Sequence, residues 1–216
     1  MKVLGVLLVG AVLLIGSLGV AHAAEKHLFY MHGCCVKDRD VHIVKVYETI
    51  VQGLKNSGLN VIFELRYSDV SDSDEAAHKH SVKIADQVRS LLAKGTKPED
   101  ITVSGFSLGS MTSLLVAGLV ANPKVNYVLL AGCPVKPSIP VTIDFTKIKG
   151  RILSIVDSKD EKFGSCKGRI PDDMLQKEVV LETGLGHKLF QQTDAEYFKL
   201  WKEPLENWAK GTANGY

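Results

Sequence analysis

The 216-residue chain has no C-x-x-C pair, no G-x-x-x-x-G-K phosphate loop and no G-x-G-x-x-G turn. The first absence argues against a thiol–disulfide redox enzyme, the other two against a nucleotide cofactor. Charge of one sign is lacking too: 26 basic side chains face 24 acidic ones, a formal net charge of +2, with no basic run. Bulk charge therefore gives no reason to expect nucleic-acid binding. There is no internal repeat, low-complexity tract or interdomain linker, and only one apolar stretch, Val3 to Val20, is long enough to cross a bilayer.

That stretch follows Lys2 and ends in Ala21-His22-Ala23-Ala24. A positive start, an apolar middle and an A-x-A end read as a secretory signal cut after Ala23 or Ala24. The expected organisation is a signal peptide over 1–23 and a single domain over 24–216. The protein is then periplasmic or secreted, with no stable membrane insertion after cleavage; the alternative is a retained anchor through residues 3–20. All four cysteines lie beyond the cut. In an exported chain they suggest disulfides. Cys133 ends one apolar run and Cys166 follows the next by about ten residues, so a Cys133–Cys166 bridge is expected. Adjacent Cys34 and Cys35 are left as a vicinal bridge or as two thiols.

The remaining sequence alternates between strand and helix periodicity. Strands are predicted at His27–Met31, Val61–Leu65, Ile101–Ser104, Val125–Ala131, Ile152–Val156 and Glu178–Leu181. Helices are predicted around Val44–Leu54, Val82–Leu92, Leu108–Ala121 and Asp194–Ala209, the last kinked or divided by Pro204 and burying Trp201 and Trp208. Such alternation predicts an α/β fold: a mostly parallel central sheet, helices on both faces, and sites at the strands' carboxyl ends. The passage from Cys133 to Lys149, with Pro134, Pro137 and Pro140, suits either a loop draped over the site or a solvated crossover.

Within that pattern, Gly105-Phe106-Ser107-Leu108-Gly109 gives G-x-S-x-G where a strand becomes a helix. A serine aimed out of so sharp a turn needs a strained backbone, and glycines two residues to either side let the chain cross itself. The helix amino terminus beneath it favours a developing negative charge. A serine hydroxyl is a weak nucleophile and needs a base and an orienting acid. His187, in the loop after the last strand, is the candidate base. Asp160 is the preferred acid and Asp157 the alternative, both following the strand Ile152–Val156. Leu108 N–H and Cys34 N–H are the candidate oxyanion donors, the second from the His32-Gly33-Cys34-Cys35 loop; His32 itself is read as a loop-fixing residue. His78 and His80 stand two apart, on different sides of a helix, so no shared metal ion is expected.

This set resembles the α/β-hydrolase family across nearly the whole chain beyond the signal, and the order serine, acid, histidine is that family's order. The resemblance implies a Ser107–Asp160–His187 triad with oxyanion donors Leu108 and Cys34. It further implies a serine esterase acting on a small-molecule carboxylic ester, without cofactor or metal. Two departures stand out: the family's first antiparallel strands are expected to be missing, and no cap domain is present. The paired cysteines beside the oxyanion loop motivate an alternative, an exported binding protein that keeps the fold without catalysis.

Overall fold

A computed structural model describes residues 24–34, 36–37, 40–67, 74–135 and 141–212; the signal reading of residues 1–23 and the fate of Cys35 lie outside them. The strands are β1 (His27–Met31), β2 (Asn60–Phe63), β3 (Ile101–Phe106), β4 (Asn126–Leu130), β5 (Cys133–Pro134), β6 (Arg151–Asp157), β7 (Phe163–Gly164) and β8 (Leu175–Leu181). The helices are α1 (Val41–Lys55), α2 (Asp74–Ala93), α3 (Leu108–Val120) and α4 (Ala195–Lys210). Six strands form one sheet in the order β2-β1-β3-β4-β6-β8, every pair parallel. All six therefore deliver their carboxyl ends to one rim. β5 and β7 form a separate antiparallel pair.

The pleat sends alternate residues of each strand to opposite faces. On β1, Leu28 and Tyr30 join a core with Tyr47, Ile50 and Leu54 of α1 and with Trp201 and Leu205 of α4. Phe29 and Met31 pack on the other face with Ile84 and Val88 of α2 and with Leu114 and Ala117 of α3. Helices thus cover both faces. α3 is apolar nearly all round and is the most enclosed helix, buried without a break from Leu108 to Leu114. Among the described residues no helix is long and apolar enough to cross a membrane.

Several elements differ from expectation. α2 starts at Asp74, two turns before Val82, because the face buried there consists of the small residues Ala77 and Ser81. β8 starts at Leu175; it is an edge strand with a register shift opposite Ile152 and Leu153, and it buries too little to alternate cleanly. Pro204 does not divide α4, which runs unbroken to Lys210. The hydrogen bond that Pro204 cannot donate would go to Leu200, on the exposed side of the helix. The passage between β4 and β6 holds, among its described residues, only β5 and short turns; Pro137 and Pro140 lie outside them.

The expected disulfide is present. Cys133 and Cys166 are joined with an S–S distance of 2.08 Å, both buried. Cys34 is also disulfide-bonded, which removes the option that it is a thiol.

Candidate active site

β3 ends at Phe106, and Ser107 turns the chain into α3 with φ 55° and ψ −117°, a conformation that an L-residue adopts only when its surroundings enforce it. The sequence explains how this is tolerated. A Cβ on Gly105 would overlap the Gly109 carbonyl group, and one on Gly109 would overlap the Met31 carbonyl at the end of β1. The elbow is also fastened to β4: Ser107 N–H donates to the Leu130 carbonyl at 2.9 Å, and Ser110 Oγ donates to the same carbonyl at 2.9 Å.

Ser107 Oγ lies 3.0 Å from His187 Nε2, and His187 Nδ1 lies 2.7 Å from Asp160 Oδ2. Nδ1–H donating to the carboxylate leaves Nε2 as an acceptor for the serine hydroxyl. The second Asp160 oxygen accepts the N–H groups of Lys162 and Phe163, each at 3.0 Å. Asp160 is therefore held by two backbone donors while its other oxygen faces the His187 imidazole. Two rings lie against the imidazole: Phe163, nearly parallel at 13° with centroids 4.8 Å apart, and Phe106, tilted at 38° and also at 4.8 Å.

Asp157, the alternative acid, points elsewhere. Its Oδ1 accepts from Lys159 N–H at 2.9 Å and Gly186 N–H at 3.1 Å; its Oδ2 accepts from Thr183 Oγ1 at 2.6 Å and Thr183 N–H at 3.0 Å. Burial by itself would raise this carboxyl, but the four hydrogen bonds outweigh it and hold it below its ordinary range. No acceptor position is left for the histidine, so Asp157 is a clamp between the loop after β6 and the loop carrying His187.

The loop after β1 is fixed by His32, which is buried. His32 Nδ1 donates to the Gly33 carbonyl at 2.6 Å, Nε2 accepts from Arg66 N–H at 2.8 Å, and Arg66 Nη2 donates to the His32 carbonyl at 2.5 Å. Burial, then the nearby Arg66 charge, pushes His32 down to about 3, so it stays neutral and accepts. Because the Gly33 carbonyl turns toward the His32 ring, the trans peptide sends Cys34 N–H the opposite way. Cys34 itself is exposed, and Leu108 is the first residue of α3.

His78 bonds within its own helix, to the Asp74 carbonyl at 2.8 Å. His80, two residues on, borders a small cavity beside Phe63 and Gln87. No group of three or more potential metal ligands occurs among the described residues.

Two features of the site were not visible in the sequence. Phe163 carries no motif at all. Thr183 offers only a weak signal, a hydroxyl residue just before the Gly184-Leu185-Gly186 turn.

No family model matches the chain, and comparison by sequence with characterised proteins gives no match. Solved structures do match in fold. Arabidopsis thaliana SOBER1 aligns over 87% of this chain and 99% of its own, with a TM-score of 0.56 and 16% identity. The Francisella virulence factor BioJ aligns over 88% of this chain and 78% of its own, with a TM-score of 0.64 and 14% identity. A carboxylesterase from Mesorhizobium loti aligns over 85% and 89%, with a TM-score of 0.53 and 16% identity. At these identities the likeness concerns the fold. The chain has the α/β-hydrolase fold, built on a parallel six-stranded sheet with helices on both faces.

Proposed function

We propose that the protein is a serine hydrolase that cleaves carboxylic esters through an acyl-enzyme on Ser107. The observation that carries this reading is the relay of Ser107 Oγ, His187 and Asp160, at 3.0 and 2.7 Å, on a serine held at positive φ. His187 Nε2 takes the hydroxyl proton as Ser107 Oγ attacks the ester carbonyl carbon, and Asp160 stabilises the imidazolium. The oxyanion so formed is received by the N–H groups of Leu108 and Cys34. The tetrahedral adduct then collapses: the carbon–alkoxy bond breaks and the alcohol leaves with the proton from His187. Water repeats the sequence, releasing the acid and restoring Ser107 Oγ–H. The likeness to a carboxylesterase supports an ester as the scissile group.

The two buried half-cystines support export to an oxidising compartment, with the signal over 1–23 removed. Ser107→Ala tests the catalytic reading. It should abolish both p-nitrophenyl acetate turnover and labelling by a fluorophosphonate probe, and unchanged turnover in that variant would refute the mechanism. A folded wild-type protein that takes no label would favour the alternative of a non-catalytic binding protein.

A further inference from the structure

The two hydrogen bonds of His187 leave one freedom uncontrolled. Nδ1 meets Asp160 and Nε2 meets Ser107, and a tilt of the imidazole about the line joining these two partners changes neither N···O distance, only the angles at the two oxygens, so the pair restrains it weakly. A flat surface against the ring face is needed to stop that rotation. Phe163 supplies the parallel one, stacked at 13° with centroids 4.8 Å apart and itself buried, whereas Phe106 at the same distance is tilted by 38°.

The main chain that carries the Phe163 ring is in turn held from several directions. Its backbone N–H donates to Asp160 Oδ1 at 3.0 Å, so one residue fixes the acid through its main chain and the base through its side chain. It lies on β7, paired with β5 in the register Pro134–Phe163 and Cys133–Gly164, and Val135 N–H donates to the Lys162 carbonyl at 2.8 Å. The Cys133–Cys166 bridge closes the same small sheet covalently. A main chain so anchored sets the ring where its face meets the imidazole.

We propose that Phe163 is a positioning residue for His187: its ring fixes the tilt of the imidazole between Asp160 and Ser107. The proposal rests on the serine-hydrolase reading above.

Phe163→Leu keeps the backbone N–H and most of the apolar volume but removes the π face; Phe163→Met is a second variant of the same kind, and Phe163→Tyr restores the face. For each, kcat and KM on p-nitrophenyl acetate are measured separately, per site titrated with a fluorophosphonate. In the Leu and Met variants kcat should fall about tenfold with KM within about twofold, as expected for lost orientation rather than lost binding. Phe163→Tyr should return kcat to within about twofold of the wild type. Leu and Met variants that are merely less stable, with unchanged kcat per labelled site, would overturn this inference alone. A wild-type protein that takes no label would overturn it together with the reading beneath it.

Discussion

Thr183 donates twice to Asp157 Oδ2, through Oγ1 at 2.6 Å and N–H at 3.0 Å, and so fastens the loop that carries His187 to the end of β6. Asp160, three residues beyond Asp157, is left to face the imidazole. The two carboxylates therefore sit differently, one in the loop clamp and one against the imidazole, and their variants should separate. Asp160→Asn should lower turnover by about 10⁴, as removal of the orienting carboxylate does in other triads, with little change in unfolding midpoint. Asp157→Asn should keep activity within about tenfold but lose roughly 2–3 kcal/mol of stability, because an amide N–H₂ then opposes donors that need an acceptor. Urea unfolding and steady-state kinetics on both variants check this, and the reverse ranking would reassign the acid.

Stability should fall on mild acidification. His32 is pushed from its usual 6.5 to about 3 by burial and then by Arg66; His80 is pushed to about 4 by the same two causes in the same order. Between the folded and unfolded values the unfolded chain binds the proton and the folded chain does not, so stability is full above about pH 6.5 and declines as pH falls. Each group contributes a slope of about 1.4 kcal/mol per pH unit within its window. From about pH 6 to pH 4 both windows overlap. Urea unfolding across that range should give a slope near two protons in the wild type and near one in His80→Gln. A flat wild-type profile would show that neither ring is held neutral by the fold.

The degree to which this fold could be read in advance varied with the kind of contact. Runs such as Tyr127–Ala131 are apolar, and α1 shows an apolar stripe, so local pattern was enough to place them. The elbow was legible because two glycines bracket a serine, and their close approaches to backbone explain why. Asp157 and Asp160 follow the same strand and look alike in sequence. What distinguishes them is a turn, with Asp160 N–H on the Asp157 carbonyl at 3.0 Å, and a partner 26 residues away. The first turns of α2 were missed because their buried face is Ala77 and Ser81, residues that no hydrophobic pattern marks. Phe163 was invisible for a different reason: its value comes from the angle between two rings, which composition and spacing do not encode.

The Cys133–Cys166 bridge closes a sequence separation of 33 residues. In the chain-entropy account a loop of that length is worth roughly 4 kcal/mol against the unfolded state. The double variant Cys133→Ala/Cys166→Ala should therefore unfold at markedly lower denaturant, by about that amount, with activity per folded molecule reduced as β5 and β7 loosen beside Asp160. A loss below about 1 kcal/mol would show that the bridge strains the native state as much as it restrains the unfolded one.

Substrate length should be limited by the cover over the rim, which among the described residues of the β4-to-β6 passage is slight. Among the described residues, the passage from β4 to β6 contributes only the two-residue β5 and short turns, with Val135 exposed at its edge. An acyl chain leaving Ser107 gains about 0.8 kcal/mol per CH₂, about fourfold in kcat/KM, only where an apolar wall removes it from water. With only β5 and turns among its described residues, that gain should stop after the first few carbons. On p-nitrophenyl esters from acetate to palmitate, kcat/KM should peak among the short chains and then level or fall. A fourfold rise per methylene sustained toward palmitate would mean a sheltered acyl channel and a lipase. A flat, weak response across the series would place the natural substrate outside the simple alkyl esters.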